Sequence, residues 1–371
     1  MIKKINKKYS STYNKIIILL FYLLIGIAFL HLPTLLSLFF KEEKTISVYA
    51  YADFITTECV EEFEKETGIK VRLKYFDNDN ELLAKFEIDK GEGYDLITAS
   101  DYAIELLIKK DILKKIDHSK IPNSTELDKK LLGHYFDPEN QYGLPYFWSI
   151  YGIMFKKSIL KKDIKEIGWD FVFQNPEKQL ISGTNNKIAM LDNPTESIFF
   201  TAIYLFGNVK NLTDTKLEKI KEVLTQQKKW VEIYTSGSLQ YYLLANVVNI
   251  AVASTAFTKK ILDISDEYEF VIPQEGSILV IDLLTIPKLS KKADFAYQFI
   301  NFLLSKKISA MNSKEYGYNP ANKLAQEEID EKFTKNKAFF PDQKTFKKLH
   351  LMHNEVDPKK IEDLWLSVRV F

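Results

Sequence analysis

The stretch EGSILVIDLLTIP, residues 275–287, plants one carboxylate, Asp282, in an apolar run. Ile278, Leu279, Val280 and Ile281 precede it; Leu283, Leu284 and Ile286 follow. An ionised acid is costly to bury unless a cation or hydrogen-bond donors meet it. Asp282 therefore offers cation pairing, either to a ligand or to a lysine in a structural ion pair. A second acid, Glu196, lies in NPTESIFFTAIYLFG, where Asn193 fits an N-cap, Pro194 fits N1 and Glu196 fits N3 of a capping box. That structural role is compatible with a binding role. In HLMH, His350 and His353 have metal-compatible i, i+3 spacing, but two ligands without a third define no metal site, and both read as helix surface. The only cysteine, Cys59, stands among Glu58, Glu61 and Glu62, which oppose a thiolate, and reads as a small buried residue. No glycine-rich phosphate loop, G-x-S-x-G, paired cysteine or H-E-x-x-H occurs, so nothing calls for catalysis, a metal or a cofactor.

The elements that must position these acids alternate. Hydrophobic content of 46% and charged content of 27% over 371 residues describe a globular chain with room for two domains. TISVYAY, IKVRLKYF, YDLITAS, KIAMLD and VVNIAVAS read as strands. Helices are predicted for TTECVEEFEKETG, which Gly68 stops, for DNELLAKFEIDKG, and for DYAIELLIKKDIL with Asp101 as N-cap. Further helices are predicted from Asn193 to Gly207, from Lys216 to Tyr234 and over KADFAYQFINFLLS. Repeated βα units imply α/β architecture with a mostly parallel sheet. Ligands in open α/β sheets bind beyond the C-terminal strand ends. That rule selects Tyr51 to Phe54 with Asp53 between, Ser100 to Tyr102, Asp192 to Glu196, and Ser254 to Thr255.

Charge separates the N-terminus from the body. Lys3, Lys4, Lys7, Lys8 and Lys15 precede a segment, Ile16 to Phe40, that carries no Asp, Glu, Lys or Arg. As a helix that segment would be about 37 Å long, enough to cross a bilayer, with the lysines inside and the body outside. It reads as an uncleaved membrane anchor rather than a signal peptide, because no small-x-small cleavage site follows and no cysteine offers a lipid anchor. On either reading the body is exported. The formal charge of +1 less those five lysines leaves −4 on the remainder. A mildly acidic body with only two arginines, Arg72 and Arg369, suits a cationic ligand better than nucleic acid.

FEKETGIKV, YDLITASDY, KKIDHSKI, FDPENQYGLPYFW, EGSILVIDLLTIP, INFLLS and GYNPANKLA, in that order, resemble the extracytoplasmic spermidine/putrescine-binding proteins of polyamine ABC importers. The correspondence covers nearly all of the body. It implies a two-lobed, type II periplasmic-binding-protein-like fold with crossing strands and a ligand cleft between the lobes. The implied lobe one is residues 44–152 and 282–325, lobe two is 153–281 and 326–371, and 1–43 is the anchor or signal segment. Implied partners are a small cationic ligand, an ABC permease with its ATPase subunits and, through the N-terminal segment, the membrane. The resemblance assigns Asp282 and Glu196 to ligand amines and places Asn193 where the family often has a second acid. Its aromatic walls fall at Tyr51, Ser254 and Val280, further aromatic contacts at Phe54, Tyr102 and Tyr318, polar ones at Ser100 and Asp101, and a C-terminal contact at His353. Departures at Asn193, Ser254 and Val280 imply weaker polyamine binding, or a smaller or less charged amine. A different cationic solute, a sensor role and an enzyme on the same architecture are the rival readings.

Overall fold

The computed structural model describes residues 20–27, 31, 44–160, 167–175, 187–235, 237–354 and 356–370. Most of the segment read as a membrane anchor lies outside them. Leu20 to Ile27 is helical and exposed, and no described helix is long and apolar enough to cross a membrane.

β1 (Thr45–Tyr51) lies between β2 (Lys70–Phe76) and β3 (Leu96–Ser100), all parallel. Their crossovers are α1 (Thr57–Thr67) and α2 (Asp79–Asp89), and α3 (Asp101–Lys109) leaves the end of β3. Each helix starts on a side-chain cap: Thr56, Asn78 and Ser100 accept from the backbone N–H two or three residues into the helix. The predicted cap at Asp101 is thereby corrected by one residue. Ser100 has extended backbone and caps Ala103 N, whereas Asp101 is inside the first turn. Gly68, at φ 67°, ends α1 in the left-handed conformation that glycine adopts without strain.

Two long strands then run through the whole molecule. β4 (Gly143–Lys156) pairs with β9 (Ser277–Thr285) over its first half and with β7 (Ile250–Ser254) and β8 (Tyr268–Val271) over its second, always antiparallel. β9 also pairs antiparallel with β3. The predicted mostly parallel sheet is therefore mixed, because the crossing strands run against the βα units on both sides. β5 (Ile188–Met190) joins β7 to β6 (Val231–Tyr234), both in parallel. β6 corrects the helix predicted to Tyr234. α5 (Asp214–Gln227) ends earlier, and Val231 and Ile233 alternate along a strand. α4 (Pro194–Phe206) follows β5, α6 (Thr255–Leu262) follows β7, and α7 (Pro358–Val370) closes the chain.

The apolar packing is divided. One core gathers the β1–β2–β3 side, the first half of β4 and the later residues of β9. A second joins Ile153, Phe155, Ile188, Ile250 and Val252 to α4 and α7, and a third takes Met154, Ala189, Ala251 and Ala253 on the opposite face of the same strands. Odd and even residues go to different cores because successive side chains on a strand point oppositely, and both faces here are covered.

Gly152 sits on β4 where the strand passes from β9 to β7. A Cβ there would stand 2.4 Å from the Val271 carbonyl oxygen and 2.6 Å from the Phe270 ring. Backbone on a paired strand cannot withdraw cheaply, so Gly152→Ala should destabilise by about 1–3 kcal/mol. An unchanged midpoint in chemical denaturation would show that β8 yields instead.

Candidate functional site

Three strand ends and two crossing strands converge on a cavity of about 400 Å³. Tyr51 closes β1, Ser100 closes β3 and Ser254 closes β7; Asn193 and Glu196 begin α4; Val280 and Asp282 come from β9. Tyr102 and Tyr318 complete the predicted residues that line it. The remaining lining includes Asp77, Asn78, Asp79, Ser149, Tyr151, Asp192 and Thr195. Five of the lining side chains are acids and none is Lys, Arg or His. Four are tyrosines.

Asp282 is locked between two ladders, opposite Ser100 on β3 and Phe147 on β4. It is 6% exposed and accepts no hydrogen bond among the described residues. Desolvation, then repulsion from Asp79 and Asp101, drives its carboxyl well above the ordinary range. The ion-pair alternative has no support at this residue: among the described residues no lysine is paired with it.

Glu196 is held differently. Asn193 Oδ1 accepts from Glu196 N at 3.1 Å, so the N-cap forms as predicted. The Glu196 carboxylate does not complete a capping box among the described residues. It instead accepts from the Tyr151 hydroxyl at 2.7 Å. Burial pushes its carboxyl up to about 7, against the lowering effect of the Tyr151 bond and with a smaller push from Asp79. With its oxygen on the cap, Asn193 can turn only amide donors elsewhere, a poor match for a cation.

Four predicted contacts are not in the cavity wall. Phe54 is fully buried in the first core, edge-on to Phe147. Asp101 is also fully buried, and its Oδ1 accepts from Ile281 N at 3.1 Å. Burial pushes that carboxyl up to about 8. The Asp53 side chain is 73% exposed, with Lys260 of α6 at 3.9 Å. His353 stacks on Tyr135 with ring centroids 3.9 Å apart. Neither histidine is on a helix surface: His350 belongs to β10 (Leu349–His350), which pairs with β9. Strand-end position and the family resemblance both pointed to Phe54 and Asp101, and neither says which way a side chain turns.

The lining also holds residues not predicted for the site, of which Tyr151 and Asp79 carry the chemistry. Tyr151 belongs to β4 and lies opposite Ser254 on the β4–β7 ladder, which puts a ring beside that serine. Asp79 was read only as the start of a helix. Its Oδ1 accepts from Tyr51 Oη at 2.5 Å, and its Oδ2 accepts from Ser100 Oγ at 2.6 Å. Asp79, at the amino end of α2 and three residues past β2, was available to the strand-end rule.

A two-lobed α/β fold with a cleft lined by acids and tyrosines is the architecture of a solute-binding protein. Residues 58–341 match the family of bacterial extracellular solute-binding proteins, and the chain belongs to that family. It is 28% identical to the spermidine/putrescine-binding periplasmic protein of Salmonella typhimurium over 312 residues, 83% of this chain and 86% of that one. It is 28% identical to the putrescine-binding periplasmic protein PotF of Escherichia coli over 334 residues, 86% of this chain and 88% of that one. The crystal structure of the spermidine/putrescine substrate-binding protein PotD of Streptococcus pneumoniae superposes with a TM-score of 0.76 at 28% identity, covering 88% of this chain and 99% of that one.

The raised carboxyls set a pH dependence for the empty protein. A carboxyl whose folded pKa is raised favours folding while both states are protonated, and that advantage is lost as pH rises through the folded value. For Glu196 the loss runs from its ordinary 4.5 to about 7, and Asp101 extends it to about 8. Groups held low act in the opposite sense: Asp342, at about 2, changes below this window, but burial also lowers His134 and His350 within it and Lys259 to about 7, and each of these favours the folded state as pH rises. Stability of the unliganded protein should therefore fall between pH 5 and 7, where the raised carboxyls dominate, by at most about 1.4 kcal/mol per pH unit per titrating proton, and level off above 7 as Lys259 opposes them. Glu196→Gln should flatten the profile. A wild-type melting temperature that rises across the window would contradict the assignment.

Proposed function

We propose that this chain is the extracytoplasmic solute-binding component of an ABC importer. It takes a polyamine or related organic cation into the cleft and delivers it to a permease with its ATPase subunits. One observation carries the reading: Asp282, over nine-tenths buried and without a hydrogen bond, faces a cavity with five acids and no basic side chain. A protonated amine supplies the missing charge, and its methylene run lies against the rings of Tyr51, Tyr102, Tyr151 and Tyr318. An ammonium within about 6 Å of such a ring gains roughly 0.5–2 kcal/mol more. The relatives, named as spermidine- and putrescine-binding proteins, support the same chemistry. The lobes we assign are residues 44–152 with 282–325, and 153–281 with 326–371, so that closure brings Tyr51 and Asp79 towards Glu196.

Titration calorimetry with a panel of amines tests the assignment, and Asp282→Asn sharpens it. The substitution keeps shape and removes charge, so amine affinity should drop by roughly 2–4 kcal/mol, about 30- to 1,000-fold. The empty variant should be at least as stable as wild type, because an uncompensated buried charge is gone. Unchanged affinity with a lowered melting temperature would make Asp282 a structural residue.

The N-terminal segment, Ile16 to Phe40, we assign as an anchor that holds the body on the outer face of the cell membrane. The apolar length and the lysines before it support this. The protein should then stay with membranes after salt washing. A mature N-terminus between Ser37 and Lys44, found by mass spectrometry, would replace the anchor with a cleaved signal.

A further inference from the structure

Asp79 is an acid with no explained partner of opposite charge. It opens α2 in the first lobe, where the helix N-terminus favours a negative group. Its three recorded hydrogen bonds come from neutral donors: the Tyr51 hydroxyl at 2.5 Å, the Ser100 hydroxyl at 2.6 Å and Ser100 N at 3.4 Å. Among the described residues no lysine or arginine pairs with it. Two carboxylate oxygens offer about four acceptor directions, so acceptor capacity remains.

The donors are themselves fixed. Ser100 Oγ donates to Asp79 while it accepts from Ala103 N as the cap of α3, which leaves its hydroxyl a single orientation. Tyr51 stands on β1 with its ring against Phe54 and Phe76. Asp79 is thus positioned, not merely present, and it lines the same cavity as Asp282 and Glu196. Its charge reaches both of them, since it raises the carboxyl of each. Three acids from three different elements, α2, α4 and β9, therefore face one cavity without a protein cation. Asp192, a fourth, is already paired with Arg369, and Asp77, the fifth, is exposed to solvent. The unpartnered and nine-tenths-buried Asp282 marks this group as a ligand site rather than a solvated acidic cluster.

Resting on the proposed amine-binding reading, we infer that Asp79 is the specificity-determining residue of the cleft, the third ammonium acceptor that selects a linear triamine over a diamine. A diamine neutralises two of the three carboxylates and leaves one unbalanced in a closed cavity, which is costly. A triamine neutralises all three. Asp79 also restores, from the first lobe, the charge that Asn193 lacks in the second.

Calorimetry on the purified full-length chain tests this with spermidine as the triamine and putrescine as the diamine. Wild type should bind spermidine at least about tenfold more tightly than putrescine. Asp79→Asn should weaken spermidine by about 30-fold or more, as expected for a lost charge-assisted contact, and change putrescine by less than about threefold. Asp79→Glu, which keeps the charge, should retain the preference for spermidine. A wild-type protein that prefers putrescine overturns the inference without any variant, and so does an equal loss of both amines in Asp79→Asn. In both cases amine binding itself stands. If wild type binds neither amine, the function assigned to the cleft fails, and this inference fails with it.

Discussion

Everything at the cleft depends on one electrostatic constraint, a carboxylate held out of water with nothing to neutralise it. Asp282 cannot escape by rotating its backbone, because β9 is hydrogen-bonded to β3 on one side and β4 on the other. Nor does a lysine meet it among the described residues, since the cavity lining there contains no basic side chain. The protein's remaining choices are to protonate the group or to bind a cation. Burial raises the carboxyls of Asp282, Asp79 and Glu196, which moves each of them towards the first choice when no ligand is present. A cationic solute makes the second available, and the tension between the two is the source of binding free energy.

Such a site requires a stiff frame. The strands that carry Asp282 and Tyr151 are the two that traverse the molecule, so the residues that meet the solute belong to the elements that join the lobes. Tyr151 sits one step beyond Ile150, where β4 leaves β9 for β7, and its hydroxyl holds Glu196 across from the first lobe. Solute contact and lobe geometry are thereby linked through a single strand.

Neutral hydroxyls do the positioning. Tyr51 and Ser100 hold Asp79, and Tyr151 holds Glu196, each by a bond that orients the acid without cancelling its charge. A lysine in the same place would have made a stable ion pair and no binding site. Two further side chains join the lining beside the family departures: Tyr151 sets a ring opposite Ser254, and Asp79 sets an acid on the Ser100 hydroxyl.

What the sequence determined by itself was local or periodic in origin. Strand and helix alternation, the cap at Asn193, the stop at Gly68 and the anomaly of Asp282 are set by residues near in the chain, so pattern alone exposes them. The order of the resembling segments carried the two-lobed fold as well. Only tertiary structure decided which side chains of a correctly located strand end turn into the cavity. Phe54 turned into the core and Asp101 onto the backbone of β9, although both neighbour cavity residues in sequence. Asp79 and Tyr151 became part of the site through partners 21 and 45 residues away, Ser100 and Glu196. The crossing direction of β4 and β9, which made the sheet mixed, was likewise invisible to a local pattern. Antiparallel and parallel neighbours can present the same apolar run, and the choice is made by the partner strand.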